Sequence, residues 1–174
     1  MSGPARLPYY TYSDYRCFEE STDAKHEYVH GQILAMAGGT PEHAALATAI
    51  IGLLERRLAG GPCYPFSSDL RVRVRATGLA TYPDVTVICG DLERDAEDPN
   101  AAVNPTVLVE VLSPSTEEYD RGEKAAHYRT IPSLREYLLV SHRERRIERW
   151  WRHGTDDWER QSAGGGEVLH LSAL

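Results

Sequence analysis

Lysine is nearly missing from this chain: it occurs only at positions 25 and 124, although Lys and Arg together number 19 among 174 residues. In a chain that otherwise uses Arg, a lysine in a structured stretch marks a place where a compact ammonium is wanted rather than a planar guanidinium. Positive charge as a whole is also in deficit, since 26 acids give a formal net charge of -7. That balance argues against a protein that grips polyanions through a broad basic surface, and it suits a site that gathers carboxylates. Cysteine is scarce, and Cys17, Cys63 and Cys89 are odd in number, far apart and without a CxxC spacing. Neither a disulfide framework nor a thiolate zinc site is expected, and a reducing cytosol fits. No apolar stretch approaches the ~20 residues that cross a bilayer, and the opening MSGPARLPYYTYSD has no apolar core of a secretion signal. A cytoplasmic protein with no membrane partner is the expectation. There is no internal repeat or low-complexity linker, and the length suits one domain over 1–174.

Local signals divide the chain into elements. Residues 1–10 read as a loose arm. Thr11 or Ser13 can cap a short helix reaching about Glu20, with Tyr15, Phe18 and Tyr12 facing inward and Asp14 in the first turn. In HEYVHGQILAM, His30-Gly31 between two extended runs predicts a hairpin, although His is not the preferred first turn residue; Glu27 stands at its entrance. Thr40-Pro41-Glu42 is a strong helix start, followed by an Ala-rich run that reads as a core helix up to Gly60-Gly61-Pro62. His43 falls in its first turn, where a polar residue at a helix mouth is the plain reading. Residues 64–74 read as one extended segment whose Arg71, Arg73 and Arg75 share a face, either solvated or turned toward phosphate. Residues 81–88 read as a buried-type strand entered by Asp84, and residues 90–105 as an acidic surface loop without the ligand spacing of a calcium loop.

The stretch from Thr106 to Leu112 is aliphatic and β-branched, bounded by Pro105 and Pro114, as in a central strand covered on both faces. Glu110 interrupts it. An isolated carboxylate in such a place costs several kcal/mol or more unless it meets a cation, a metal ion or a proton. Ser115 with Glu118 forms a capping box for a helix over about 116–130. On that helix Asp120, Lys124 and Tyr128 fall on one stripe, so Lys124 is offered to Glu110; an ordinary Asp120–Lys124 helix pair accounts equally for the spacing. Tyr128 reads either as a core aromatic or as a support for Lys124. Strands over 135–140, 145–151 and 157–161, and a last short run near Val168, complete the sheet, with a hairpin turn at Gly164–Gly166. Trp150, Trp151 and Trp158 look exposed, on an outer face or a subunit contact. If the Asp84 and Glu110 strands are neighbours, the two acids converge, and such an oxygen-rich pocket suits Mg²⁺ or Mn²⁺.

The strings YPDVTV, VLVEVLSPST and YDRGEKAAHY, in this order, resemble the Uma2 family of endonucleases within the PD-(D/E)XK superfamily. The resemblance covers most of the chain and implies a mixed α/β, restriction-endonuclease-like fold, with a central mixed sheet flanked by helices. It implies Asp84 and Glu110 as metal ligands, Glu27 as a further acid of the site, and metal-dependent hydrolysis of DNA. The usual motif places Lys two residues after the second acid, where this chain has Leu112. The resemblance therefore implies a lysine migrated to the next helix, Lys124, with Asp120 and Tyr128 supporting it. Where relatives show Val-Asp-Pro after the late strand, this chain has Val140-Ser141-His142. A homodimer would suit cutting of both strands of a duplex. Two other readings stay open: a nuclease fold that binds nucleic acid or protein without cutting, and a Glu110–Lys124 pair that serves only the fold.

Overall fold

The Glu110 strand lies inside a six-stranded sheet, every one of its residues buried. The structure, a computed structural model, describes residues 8–154 and 157–174. In chain order the strands are β1 (His26–Val29), β2 (Gln32–Ala35), β3 (Cys63–Ser67), β4 (Arg71–Arg73), β5 (Ala80–Thr81), β6 (Val85–Cys89), β7 (Ala101–Ala102), β8 (Val107–Leu112), β9 (Glu136–Ser141), β10 (Arg146–His153) and β11 (Asp157–Ala163). The larger sheet runs β11-β10-β9-β8-β6-β3, and a smaller one runs β2-β1-β5-β4-β7. Both are mixed: β8 and β9 are parallel, as are β4 and β7, and the other pairs are antiparallel.

Alternation along β8 sends Leu108, Glu110 and Leu112 to one face and Val107, Val109 and Val111 to the other. The leucines join Tyr128, Tyr137, Leu139 and Trp150 in one core cluster, while Val107 and Val109 join Val85, Val87, Leu138 and Leu54 in a second. Covered on both sides, β8 has no solvated face, which is why it reads as a continuous apolar run.

Three helices flank the sheets. The first, α1 (Tyr12–Glu20), starts at a capping box in which Thr11 accepts from the Asp14 backbone and Asp14 accepts from Thr11. The second, α2 (Pro41–Leu58), has Thr40 as its cap and Pro41 at its start. The third, α3, begins with a turn at Glu117–Tyr119, widens to a π-helix over Asp120–Lys124 and ends with Ala125–Tyr128. Interruptions of this π type recur at functional sites.

Several expectations are corrected. The segment over 64–74 is two strands in different sheets, because the chain turns at Ser67, whose carbonyl accepts from Leu70 N at 3.1 Å. The segment over 81–88 likewise splits into β5 and β6 at Tyr82-Pro83-Asp84. Helix α2 is a covering helix: Leu54 is buried and Leu46, Ile50 and Ile51 pack on the valine face, but Leu53 is 49% exposed. Phe18 faces outward, and Trp150 belongs to the core. The acidic loop is not wholly solvated, since Asp98 is fully buried. No strand forms near Val168; instead Leu171, Ala173 and Leu174 pack on the second cluster, and Gly164–Gly166 turns the chain into this tail. The expected arm lies outside the described residues over 1–7; over 8–10, Pro8 O and Tyr10 N are bonded to Gln32 and Gly31.

Cys63 and Cys89 form a disulfide, against the expectation of three reduced thiols. They are 26 positions apart in sequence, but antiparallel pairing of β3 with β6 sets them directly opposite. The cysteine argument for a reducing cytosol falls with this bond. Cys17 remains free and exposed. Among the described residues no helix is long and apolar enough to cross a membrane.

Candidate active site

Register brings the two acids together. Val85 pairs with Val109 at the end of the β6–β8 ladder, which brings Asp84, the residue before β6, beside Glu110. The Val111 N–H donates to Asp84 Oδ2 at 2.7 Å, and His43 Nε2 lies 3.1 Å from the same oxygen. Tyr128 donates its hydroxyl proton to Glu110 Oε1 at 2.8 Å. Tyr128 is thus both a core aromatic and a support of the acid.

Helix α3 delivers the cation. Lys124 Nζ lies 3.0 Å from Glu110 Oε1, 3.1 Å from Glu27 Oε1 and 3.5 Å from Asp120 Oδ1. Glu27 arrives on β1 and accepts a short hydrogen bond from the Thr81 hydroxyl. Tyr137 donates to the Asp120 carbonyl at 3.0 Å and so braces the π-helical turn. Glu27, Glu110, Asp120 and Lys124 are each less than a tenth exposed.

One ammonium therefore answers Glu27, Glu110, Asp120 and the adjoining Asp84, and the surplus is negative. Burial first, then the nearby Asp120 and Asp84, push the Glu110 carboxyl up to about 8, although Lys124 and the Tyr128 hydroxyl oppose the rise. Burial also raises Asp120 above the usual carboxylate range. For Lys124 burial works against the charge, but Glu110, Glu27 and Asp120 outweigh it and hold the ammonium well above its ordinary value. A cluster with this balance takes up a proton or a cation.

Asp84, Glu110, Asp120 and Lys124 border a cleft of about 560 Å³ that also reaches His43, Lys25 and His142, with Glu27 behind them on Lys124. All of the sequence-derived site residues, Asp84, Glu110, Lys124, Glu27, Asp120 and Tyr128, are thus gathered at one place. His43 was seen only as a helix-mouth residue, and its contact with Asp84 could not be read because the two are joined only by folding. His142 Nδ1 lies 2.7 Å from the Leu112 carbonyl, so the Val140-Ser141-His142 departure borders the same cleft. The arginine strand does not face it. Arg71 is buried against Asp98 at 2.5 Å and donates to Tyr82 at 2.9 Å; Arg73 stacks over Tyr12 at 3.4 Å; Arg75 pairs with Asp95 at 3.1 Å. The phosphate-facing reading of these arginines is corrected: each is paired within the fold, Arg71 in its interior and Arg75 at its surface.

Comparison with known proteins agrees with this architecture. A sequence profile of the Uma2 family, described as "Putative restriction endonuclease", matches residues 12–174. The uncharacterised protein slr1290 of Synechocystis sp. PCC 6803 is 39% identical over 173 residues, spanning 99% of this chain and 90% of that one. A second uncharacterised Synechocystis protein, sll1609, is 32% identical over 148 residues, spanning 85% and 84%. Among solved structures, one from Anabaena variabilis described as "a putative nuclease belonging to DUF820" superposes with a TM-score of 0.69 at 17% identity, covering 87% of this chain and 84% of that one. At that identity the likeness speaks for the fold, which is restriction-endonuclease-like.

Proposed function

We propose, from the premise that the chain belongs to the Uma2 family, that it is a metal-dependent endonuclease hydrolysing phosphodiester bonds of DNA. The observation that carries the reading is Asp84, held by Val111 N beside Glu110, with Lys124 Nζ 3.0 Å from Glu110 Oε1, all three at the wall of one cleft. The donor set fits a hard divalent cation such as Mg²⁺ or Mn²⁺, since it is all carboxylate oxygen and carries more negative charge than Lys124 offsets. Asp84 and Glu110 would hold the ion, with Glu27 as the third acid. Such an ion, when bound, supplies charge stabilisation to a phosphoryl group and acidifies a water.

The protein's own part is to hold these groups still. Val111 N and His43 fix Asp84 through Oδ2 at the wall of the cleft. Tyr128 fixes Glu110, and Thr81 fixes Glu27, so no acid must be oriented anew when substrate arrives. Asp120, at 3.5 Å, is the loosest partner of Lys124, and the Nζ proton aimed at it is the one free to turn to a phosphoryl oxygen.

A second reading, a nuclease fold that binds nucleic acid or protein without cutting, draws support from the full engagement of the Lys124 ammonium and the net charge of -7. Calorimetric titration with Mn²⁺ separates the two. The catalytic reading expects binding in the wild type that weakens at least about tenfold in Asp84→Asn and in Glu110→Gln. Absence of binding in the wild type at any accessible concentration leaves the catalytic reading without its metal.

A further inference from the structure

The turn of the β1–β2 hairpin contains an unusual residue. His30 and Gly31 have φ of 50° and 76°, and His30 is the only non-glycine with positive φ among the described residues. Both central residues of such a turn take the left-handed conformation, which favours Asn or Asp at the first position over His. A histidine kept there, against local preference, points to use of its ring. That ring leaves the small sheet and meets α3: His30 Nε2 lies 3.1 Å from Glu123 Oε1.

Glu123 is also approached from its own helix. His127, one turn on, places Nε2 at 3.8 Å from the same Oε1, and the His30 and His127 ring centroids are 5.5 Å apart. One ligand atom from each of the three residues fits within a sphere of mutual distances under 4.8 Å. Donors around a tetrahedral zinc ion, bonded at about 2.0–2.1 Å, stand roughly 3.3 Å from one another, so the trio needs only small side-chain adjustments to converge on one ion.

A second observation comes from His127 itself. Its side chain is about nine-tenths buried, its Nδ1 meets no hydrogen-bond partner among the described residues, and Nε2 reaches Glu123 only at that longer distance. The nitrogen that faces Glu123, Nε2, thus has no close partner on a largely buried ring, and an ion between the two would supply one.

We infer that His30, Glu123 and His127 form a binding site for a late first-row divalent cation of the zinc type, with two imidazoles, one carboxylate and a fourth position open to water. The site is separate from the Asp84–Glu110 pair and is chemically different from it, because imidazoles select zinc-like ions where an all-carboxylate set suits Mg²⁺. Its position gives it a consequence. His30 follows Glu27 by three residues and Glu123 precedes Lys124, so an ion bound there clips the hairpin bearing Glu27 to the helix bearing Lys124. The site acts as a staple of the small sheet on α3 that steadies the Glu27–Lys124 contact.

The test is titration of tag-free protein with Zn²⁺ in excess Mg²⁺, which occupies the carboxylate oxygens and leaves the imidazoles to zinc. One equivalent of Zn²⁺ is expected in the wild type, with affinity at least about tenfold weaker in His30→Asn and in Glu123→Gln. Asn accepts the left-handed conformation at position 30, so the turn is retained. The thermal midpoint should rise with Zn²⁺ in the wild type and not in either variant, since the ion binds only the folded state. Absence of zinc binding in the wild type, or binding and thermal shift unchanged in both variants, overturns the proposal.

Discussion

Lys124 Nζ lies 3.0 Å from Glu110 Oε1, with the whole contact buried between β8 and the π-helical turn of α3. If this were a simple structural pair, removing both partners together would be nearly neutral. The remaining partners of Lys124 make a different outcome expected. Lys124→Met should cost about 3–5 kcal/mol, as breaking a buried pair does, and the double variant Glu110→Gln/Lys124→Met should not recover it, because Glu27 and Asp120 stay behind without their cation. Urea unfolding of the two variants measures this. A double variant as stable as the wild type would reduce the cluster to an isolated ion pair.

The Glu110 carboxyl gives the stability a particular pH dependence. A glutamate in the unfolded chain titrates near ~4.3, whereas burial and the neighbouring acids bring Glu110 to about 8 in the fold. Between these values the folded protein keeps a proton that the unfolded chain has lost. Its contribution is therefore complete below the unfolded value, and it is lost as pH rises through the folded one. Unfolding free energy, measured in the absence of divalent ions, should decline from about pH 5 to about pH 8 and then level. Glu110→Gln should lose most of that slope, the rest coming from Asp120, which is shifted in the same direction. A wild-type profile that is flat or rising across this window contradicts the assignment.

Arg71 and Asp98 offer a contrast between structural and functional charge. Their contact is buried and shared with Tyr82 and Tyr12, and of these four residues only Tyr82 borders the carboxylate cleft. Asp98→Ala should lower stability by about 3–5 kcal/mol through the stranded guanidinium, and it should leave Mn²⁺ affinity unchanged. Chemical denaturation and the metal titration, run on the same variant, check both halves.

Thiol counting tests the strand pairing of β3 with β6. Native, unreduced protein should titrate one thiol, Cys17, and reduction in denaturant should bring this to the three of the sequence. Three reactive thiols in unreduced, unfolded protein would show that Cys63 and Cys89 are not joined.

These contacts show where the sequence could be read and where it could not. The caps at Thr11 and Thr40, the His30-Gly31 turn and the anomaly of Glu110 are local: each follows from a few neighbouring residues and the conformations that these allow. Glu110, Lys124 and Tyr128 were legible because a charge in an apolar strand demands a partner and the next helix offered one, whereas Asp84 depended on which strands are neighbours and Glu27 on the family resemblance. What escaped was long-range pairing. A run of β-formers does not say which sheet it joins, so 64–74 and 81–88 each looked continuous although each is divided between two sheets. Asp98 looked solvated because Arg71 is 27 positions away, and His43 looked idle because its partner Asp84 is reached only when α2 covers the sheet. The two cysteines looked unrelated for the same reason.

The central claim is that Asp84, Glu110 and Lys124 act together on a phosphodiester. Its most direct measurement is nicking of supercoiled plasmid DNA in the presence of Mg²⁺ or Mn²⁺, comparing the wild type with Asp84→Asn, Glu110→Gln and Lys124→Ala, each shown to be folded. The account expects cleavage by the wild type that chelation abolishes and that falls by at least about 100-fold in every variant. Undiminished nicking in all three, or none by the wild type with either ion, would contradict it.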